Sequence, residues 1–387
     1  MKKLAIVSFG HTDSIIQYAK TVSSLYDVEL IFVYALNKKI ESILNFEDEE
    51  LHTGFLEDEK VNKILGKPIL SFIENRYKTR FYINHNLKVR SLRNIKLAKA
   101  LSAYLGNFDI VHFNGIDASL MLINAFLRNK KRYFTIHDIK LHSGEKGNSL
   151  FNISEFYINR LIKSKHQIVI LNKYDYEEVL KRYPRKKNKI NLIPLKFLEI
   201  YRHYGNENLK CEKSDILFFG RMSPYKGLKY LVEAVRKVDK VIPGIKIIVA
   251  GKGKLEIDFD KEEIKDNFII YNRYIPNDEL ACLIRNTKIV VCPYTDSTQS
   301  GVAMTAYAFN KPVIASAVGG FNNIVIDGTT GFLVPPKNPD ELAGAILKLL
   351  QDDSLINTLS LNIKNLCENG SLSWNSILKD AETLYNK

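Results

Sequence analysis

Twice along the chain, short apolar runs of strand length alternate with stretches of helical spacing, and this repeated βα pattern restricts the fold more than any other feature. The runs KKLAIVSFG, YDVELIFVYA, FDIVHFNG, KRYFTIHD and HQIVILN read as buried strands, and stretches such as Ile15 to Leu25 and Ser91 to Leu105 between them have helical spacing. Strands that are apolar throughout are those of a parallel sheet covered on both faces, so the pattern predicts a doubly wound α/β sheet. After NLIPLK the chain turns polar in HYGNENLKCEKSD, and a second series follows: DILFFGR, GIKIIVAGKG, NFIIYNRY, KIVVCPY, KPVIASAVGG and GFLVPP. At 387 residues the chain is too long for one typical core. The boundary falls near Lys196 to Ser214, giving two α/β domains with a crevice between them. Ligands of such sheets sit at the carboxyl ends of the strands, so the residues just after each strand are the candidates for function.

A hydrophobic content of 45% with 11% aromatics excludes disorder as the default. The start, MKKLAIVSFGHTDS, is basic like a signal peptide, but its apolar run stops at Phe9 and no small-residue cleavage site follows, so it reads as a first strand. No apolar stretch approaches the length of about 20 residues that spans a bilayer. Cys211, Cys282, Cys292 and Cys367 show neither metal nor redox spacing, as expected for reduced thiols in cytoplasm. The 56 basic and 43 acidic residues leave a net charge of +13, which favours an anionic partner. Between Lys60 and Lys99, Lys63, Lys67, Arg76, Lys78, Arg80, Lys88, Arg90, Arg93 and Lys96 face the single acid Glu74. Interleaved with large apolar residues, they suit a segment lying on an anionic membrane surface, the alternative being a solvated basic face on ordinary helices. No nucleic-acid recognition module is present, so nucleic acid is not expected as a partner.

The residues after the second series of strands agree with one another. Gly220 and Arg221 follow DILFF, and Lys226 comes before the helical stretch GLKYLVEA; Arg grips phosphate oxygens in a fork and Lys adds a point charge. The next strand ends in AGKGKL, where Gly251 and Gly253 allow close backbone approach to a ligand. The third ends in YNRYIP. The loop STQSGVAMT, residues 297 to 305, then feeds a helix start, whose unpaired N–H groups and positive dipole end hold anions, the alternative being an ordinary N-cap.

On FFGRMSPYKGLKYLVEAV, YIPNDELACLIRNTKIVVCPY, KPVIASAVGG and IVIDGTTGFLVPPKNPDELAGAI, in that order and spacing, the C-terminal half resembles the donor-binding domain of the retaining glycosyltransferases of family 4. The N-terminal half is similar in outline, through Phe9-Gly10-His11 and TIHD, and the tail SLSWNSILKDAETLYNK resembles that fold's closing helix, with Trp374 and Tyr385 as anchors. The resemblance implies a GT-B fold: an acceptor-binding Rossmann-like domain over 1–198, a nucleotide-sugar-binding one over 199–370, and a helix over 371–387 that crosses back to the first. It implies that Arg221 and Lys226 bind the donor diphosphate and stabilise the leaving group in place of a metal, so no metal or other cofactor is required. His137 would face the donor sugar. His142 and Glu145 would contact sugar or acceptor, Phe9, Gly10 and His11 would lie near the acceptor, and Asn272, Arg273 and Tyr274 would flank the nucleobase.

The family carries two glutamates on either side of seven residues in the loop, and here Ser297 and Thr305 occupy those positions. The loop is then left to work through backbone N–H groups and the neutral side chains of Gln299, Ser300 and Thr305, beside Gly301 and Val302, and it suits phosphate. The chain is expected to be a metal-independent retaining hexosyltransferase, cytoplasmic or peripheral on the inner face of the membrane. It would use a nucleotide diphosphate sugar, UDP-sugar favoured over GDP-sugar, to extend a lipid-linked or other glycan in bacterial surface polysaccharide synthesis. The alternatives are a non-catalytic GT-B subunit that binds a nucleotide sugar or a partner transferase, and a nucleotide-sugar epimerase.

Overall fold

The protein is described by a computed structural model covering residues 1–387 except 37–42, 47–49, 90, 129, 138, 140–148, 206–208, 298 and 299, with only the backbone of 149–155. It divides into two compact units. The first comprises Met1–Ile139, the helix Ser149–Lys163 with the chain on to Leu195, and Trp374–Lys387; the second comprises Lys196–Ser373.

The first unit is built on eight strands: β1 (Lys3–Ser8), β2 (Asp27–Ala35), β3 (Gly54–Phe55), β4 (Lys78–Asn84), β5 (Ile110–Asn114), β6 (Lys131–Ile136), β7 (Gln167–Ile170) and β8 (Ile190–Leu192). They lie in the order β3-β4-β2-β1-β5-β6-β7-β8, and only the short edge strand β3 runs antiparallel to its neighbour. The register sets Ser8 beside Asn114 and Asn114 beside Thr135, so three polar side chains meet at the carboxyl end of the central strands.

The basic stretch from Lys60 to Lys99 is not one surface-lying segment. It contains most of the helix Asp58–Ile73, the whole of β4 and part of the helix Leu92–Leu105. Ile64, Leu65, Ile69, Phe72, Ile73, Phe81, Tyr82 and Ile83, the residues that would enter a bilayer, are buried in the core. Several of the cations are paired: Arg80 lies 2.9 Å from Glu29, and Arg76, Lys78 and Lys63 pair with Glu74, Asp58 and Glu59. β4 escapes a reading by apolar runs because Lys78 and Arg80 alternate with Thr79 and Phe81 at its outer end.

The tail folds as a short 3-10 turn, Trp374–Ile377, and a helix, Leu378–Asn386, and it belongs to the first unit. Its anchor is Tyr385, 1% exposed, whose hydroxyl meets Tyr18 Oη at 2.9 Å and His112 Nδ1 at 2.6 Å. On the other side of the ring, His112 Nε2 meets Thr135 Oγ1 at 2.8 Å. Both imidazole nitrogens are thereby used, and burial pushes His112 down to about 3, so the ring is neutral.

The second unit has six parallel strands: β9 (Ser214–Phe219), β10 (Ile247–Ala250), β11 (Phe268–Tyr271), β12 (Thr287–Cys292), β13 (Val313–Ser316) and β14 (Gly331–Val334), in the order β11-β10-β9-β12-β13-β14. The helix Leu228–Asp239 buries Leu228, Leu231, Val232, Val235 and Val238 at helical spacing in the core of this unit. The expectation of four reduced thiols needs correction. Cys211 and Cys282, 71 residues apart, have Cα atoms 6.0 Å apart and form a disulfide, while Cys292 and Cys367 are free and buried. The pairing joins the chain before β9 to the helix Asn277–Arg285, a contact that sequence spacing does not encode. Among the described residues no helix is long and apolar enough to cross a membrane.

Candidate functional site

In the second unit, the features after β9 converge on Lys226. The turn Pro224–Lys226 directs this side chain back under the strand end, where it is 6% exposed. Its ammonium donates one hydrogen bond, to Phe219 O at 3.4 Å, and sits 5.0 Å from the centre of the Tyr294 ring. A Cβ on Gly220 would come within 2.6 Å of Nζ and 3.3 Å of Val302 Cγ2, so the glycine makes room for the cation and for the start of the helix Gly301–Ala308. Burial pushes the ammonium down to about 8, and Arg221, itself exposed, adds repulsion. Among the described residues no carboxylate pairs with it. Burial also pushes the neighbouring Cys292 thiol up to about 12, so that group stays neutral. A buried cation without a counter-charge is costly alone and gains most from an anion.

The glycines after β10 act differently from the expectation. A Cβ on Gly251 would lie 2.1 Å from Gly220 O, and one on Gly253 would lie 2.1 Å from Met222 O. Their φ angles are +144° and +152°. The close approach they permit in the structure is between the loops after β9 and β10, bridged at Met222 and Gly253. Asn272 holds the same loop, its Oδ1 accepting from Gly253 N at 3.1 Å. Arg273 forms a two-pronged pair with Glu279, at 2.8 and 2.6 Å, and Tyr274 is exposed.

In the loop before the helix Gly301–Ala308, Ser300 is the N-cap, its Oγ accepting from Ala303 N at 3.3 Å. Thr305 is buried and donates to Gly301 O at 2.8 Å, one turn back in its own helix. Gly301 is sterically unconstrained, because a Cβ there meets nothing within 4 Å and its φ is not positive. The glycine that the loop requires is Gly319, after β13: its φ is +47°, and a Cβ would lie 1.5 Å from the carbonyl of the buried Ser297. Gln299 lies outside the described residues, as do His142 and Glu145.

In the first unit, His137 follows β6 and is held on an edge and a face. Its Nε2 meets Asn114 Oδ1 at 2.9 Å, and its ring stacks on His11 with centroids 3.4 Å apart and planes at 2°. Asn114 Nδ2 donates to Ser8 Oγ at 3.0 Å, and Ser8 Oγ donates to Gly10 O at 2.8 Å. That chain of donors turns the amide oxygen toward His137, which therefore donates through Nε2–H and leaves Nδ1 as an acceptor. Burial, with His11 and His112 nearby, holds His137 well below the ordinary histidine range, so the ring is neutral. Gly10 and His11 adopt left-handed φ of +95° and +50°, turning the chain after β1 so that His11 reaches His137; Phe9 packs on Tyr34 with centroids 5.9 Å apart. Sequence reasoning passed over Ser8, Asn114 and Tyr294. The signal for Asn114 was present, since it ends an apolar strand beside β1 and β6. Among the described residues no group of three or more His, Cys, Asp or Glu is placed to hold a metal ion.

Two parallel α/β units, the first taking in the helix Leu378–Asn386 and the second a buried cation at a strand end, have the architecture of the GT-B fold. Residues 213–352 match the family described as Glycosyl transferases group 1. It is similar to an uncharacterised glycosyltransferase of Methanocaldococcus jannaschii, 28% identical over 336 residues that make up 82% of this chain and 88% of that protein. Among solved structures it is similar to HepE from Anabaena in complex with UDP and glucose, at 17% identity and a TM-score of 0.66 over the whole of both chains. It is also similar to a TarM variant from S. aureus in complex with fondaparinux, alpha-GlcNAc-glycerol and UDP, at 14% identity and a TM-score of 0.67, again over the whole of both.

Proposed function

We propose that this glycosyltransferase takes a hexose from a nucleoside diphosphate sugar, with UDP as the favoured nucleotide and retention at the anomeric carbon. In that reaction the bond from C1 to the diphosphate oxygen breaks, a bond from C1 to an acceptor hydroxyl oxygen forms, and the hydroxyl proton leaves with the diphosphate. The observation that carries the reading is the buried ammonium of Lys226 at the end of β9, which has no carboxylate partner among the described residues and which an incoming diphosphate would neutralise. Arg221, exposed on the same turn, would add a fork, and N–H groups at the start of the helix Gly301–Ala308 would add neutral donors. UDP is favoured because it is present in both of the similar solved structures. Our reading includes independence of metal, a lipid-linked or other glycan as acceptor, and a role in surface polysaccharide synthesis on the cytoplasmic side of a membrane.

The test is a panel of nucleoside diphosphate sugars assayed for nucleoside diphosphate release in excess EDTA. Release from a UDP-sugar is the expected result, and activity that returns only with magnesium or manganese would sink the metal-independent reading. Neutral Ser297 and Thr305 favour one competitor, a subunit that binds the donor without turning it over. Saturable binding with no release from any donor would establish that competitor instead.

Asn114 supplies a second check, on the role of His137. Asn114→Leu removes the acceptor that fixes the Nε2–H form, so kcat should fall by about 10- to 100-fold, the effect of roughly 1–3 kcal/mol from a lost buried hydrogen bond. Asn114→Asp keeps an acceptor and should recover most of the loss. A folded Asn114→Leu enzyme of normal kcat would remove His137 from the chemistry.

A further inference from the structure

The first unit carries a polar cavity at the end of its sheet opposite His137. A groove of about 350 Å³ opens at the amino ends of β6 and β7, bordered by Lys130, Lys131, Arg132, Lys165, His166 and Lys387, and among the described residues no acidic side chain lines it. The six residues of β6 separate it from His137 by about 20 Å, so it is not part of the site at the carboxyl ends. Among the described residues, Lys130, Lys131 and Lys165 form no ion pair.

Arg132 is fixed rather than free to fold away. Its Nη1 donates to Asn124 O at 3.1 Å and to Asn124 Oδ1 at 2.9 Å, while its buried Nε has no partner. His166 reports the local field. Burial first, and then the cations Arg132, Lys165 and Lys189, push its imidazole down to about 4. A set of like charges around a concavity, one of them a guanidinium held in place, is electrostatically unfavourable until an anion enters. A guanidinium fork beside several ammonium groups matches the charge and oxygen geometry of phosphate better than a single carboxylate.

We propose that this groove binds a phosphate-bearing anion of the size of a pyrophosphate or a phosphodiester headgroup. Two sources share that chemistry: a free polyphosphate compound, and the phosphate headgroups of a lipid surface. The ligand contacts Lys131 and Lys165 at the mouth and Arg132 at the floor, and it is a different ligand site from that of the sugar donor.

The test follows His166 by NMR in the full-length protein. Inorganic pyrophosphate should raise the His166 titration midpoint by a pH unit or more, because a bound anion favours the imidazolium. The same shift with phosphatidylglycerol vesicles, and none with phosphatidylcholine vesicles, would assign the groove to a lipid surface. A shift with pyrophosphate alone would assign it to a free ligand. The double variant Lys131→Glu/Lys165→Glu, both at exposed positions, should melt with the wild type and weaken whichever response is seen by at least tenfold. The proposal is overturned if neither probe moves His166, or if the double variant responds as the wild type does. Repeating the titration in Lys226→Met, where the cation of the donor reading is absent, keeps the result independent of that reading.

Discussion

Lys226→Met should yield a protein that is more stable than the wild type and that no longer uses its donor. In the folded protein the ammonium titrates near 8 instead of its ordinary 10.5, so at neutral pH the fold carries a buried charge it would rather release. That shift corresponds to a destabilisation on the order of 3 kcal/mol at pH 7. The sign is that of a depressed folded-state pKa. Wild-type stability is lowest with the amine protonated, rises as pH climbs from about 8 toward 10.5, and levels off above the unfolded value. Methionine fills the same space without the charge, so its melting temperature should be higher at pH 7 and should lack that rise. Donor use should fall by roughly 100- to 1,000-fold in kcat/KM, the effect of removing a charge that faces a desolvated phosphate. UDP should raise the melting temperature of the wild type and leave that of the variant unmoved. A variant that melts lower than the wild type and still turns over donor would show that Lys226 is a structural residue.

The second large effect is on folding. Tyr385→Ala should lower the stability of the first unit by about 4 kcal/mol, through a cavity where a ring was buried and through two polar groups left without a partner. Those groups are the Tyr18 hydroxyl and His112 Nδ1. The midpoint of urea unfolding measures the loss, and a midpoint equal to wild type would mean that the tail helix is not part of the folded core. The same network gives an acid limb. His112 is depressed to about 3, so the unfolded chain takes up a proton near 6.5 that the folded one refuses. Its contribution to stability is complete above pH 6.5 and shrinks as pH falls toward 3. The melting temperature should therefore decline more steeply below pH 6.5 in the wild type than in His112→Gln; parallel profiles would rule out this source of acid sensitivity.

All six strands of the second unit lie within apolar runs that can be read directly, because a parallel strand covered on both faces has no polar side to break the run. β4 was not legible for the opposite reason: Lys78 and Arg80 point outward near its start, where Arg80 meets Glu29 from β2 and the ring faces of Phe55 and Tyr104. Arg221 and Lys226 could be recognised as two cations after a strand. That one would be exposed and the other buried against Tyr294 and Cys292 depends on β12 and the loop after it, far along the chain. The glycines teach the same lesson. Gly251, Gly253 and Gly319 each stand where another segment's carbonyl comes too close for any side chain, while Gly301, which the local pattern singled out, has open space around it. Local spacing marks where the backbone turns, but only the fold determines what it turns against.

The last helix also bears on the order in which the protein is made. β1 and β2 leave the ribosome before the second unit is made, yet the hydroxyl that satisfies Tyr18 and His112 belongs to Tyr385, which is added after that unit. Throughout synthesis of the entire second unit, the first sheet must persist with an open slot between Tyr18, Tyr26, His112 and Tyr133, the residues that later enclose the Tyr385 ring. The nascent first unit is thus a host waiting for its own tail, and the arrival of Tyr385 after the second unit, rather than emergence of β1 to β8, is the event that completes it.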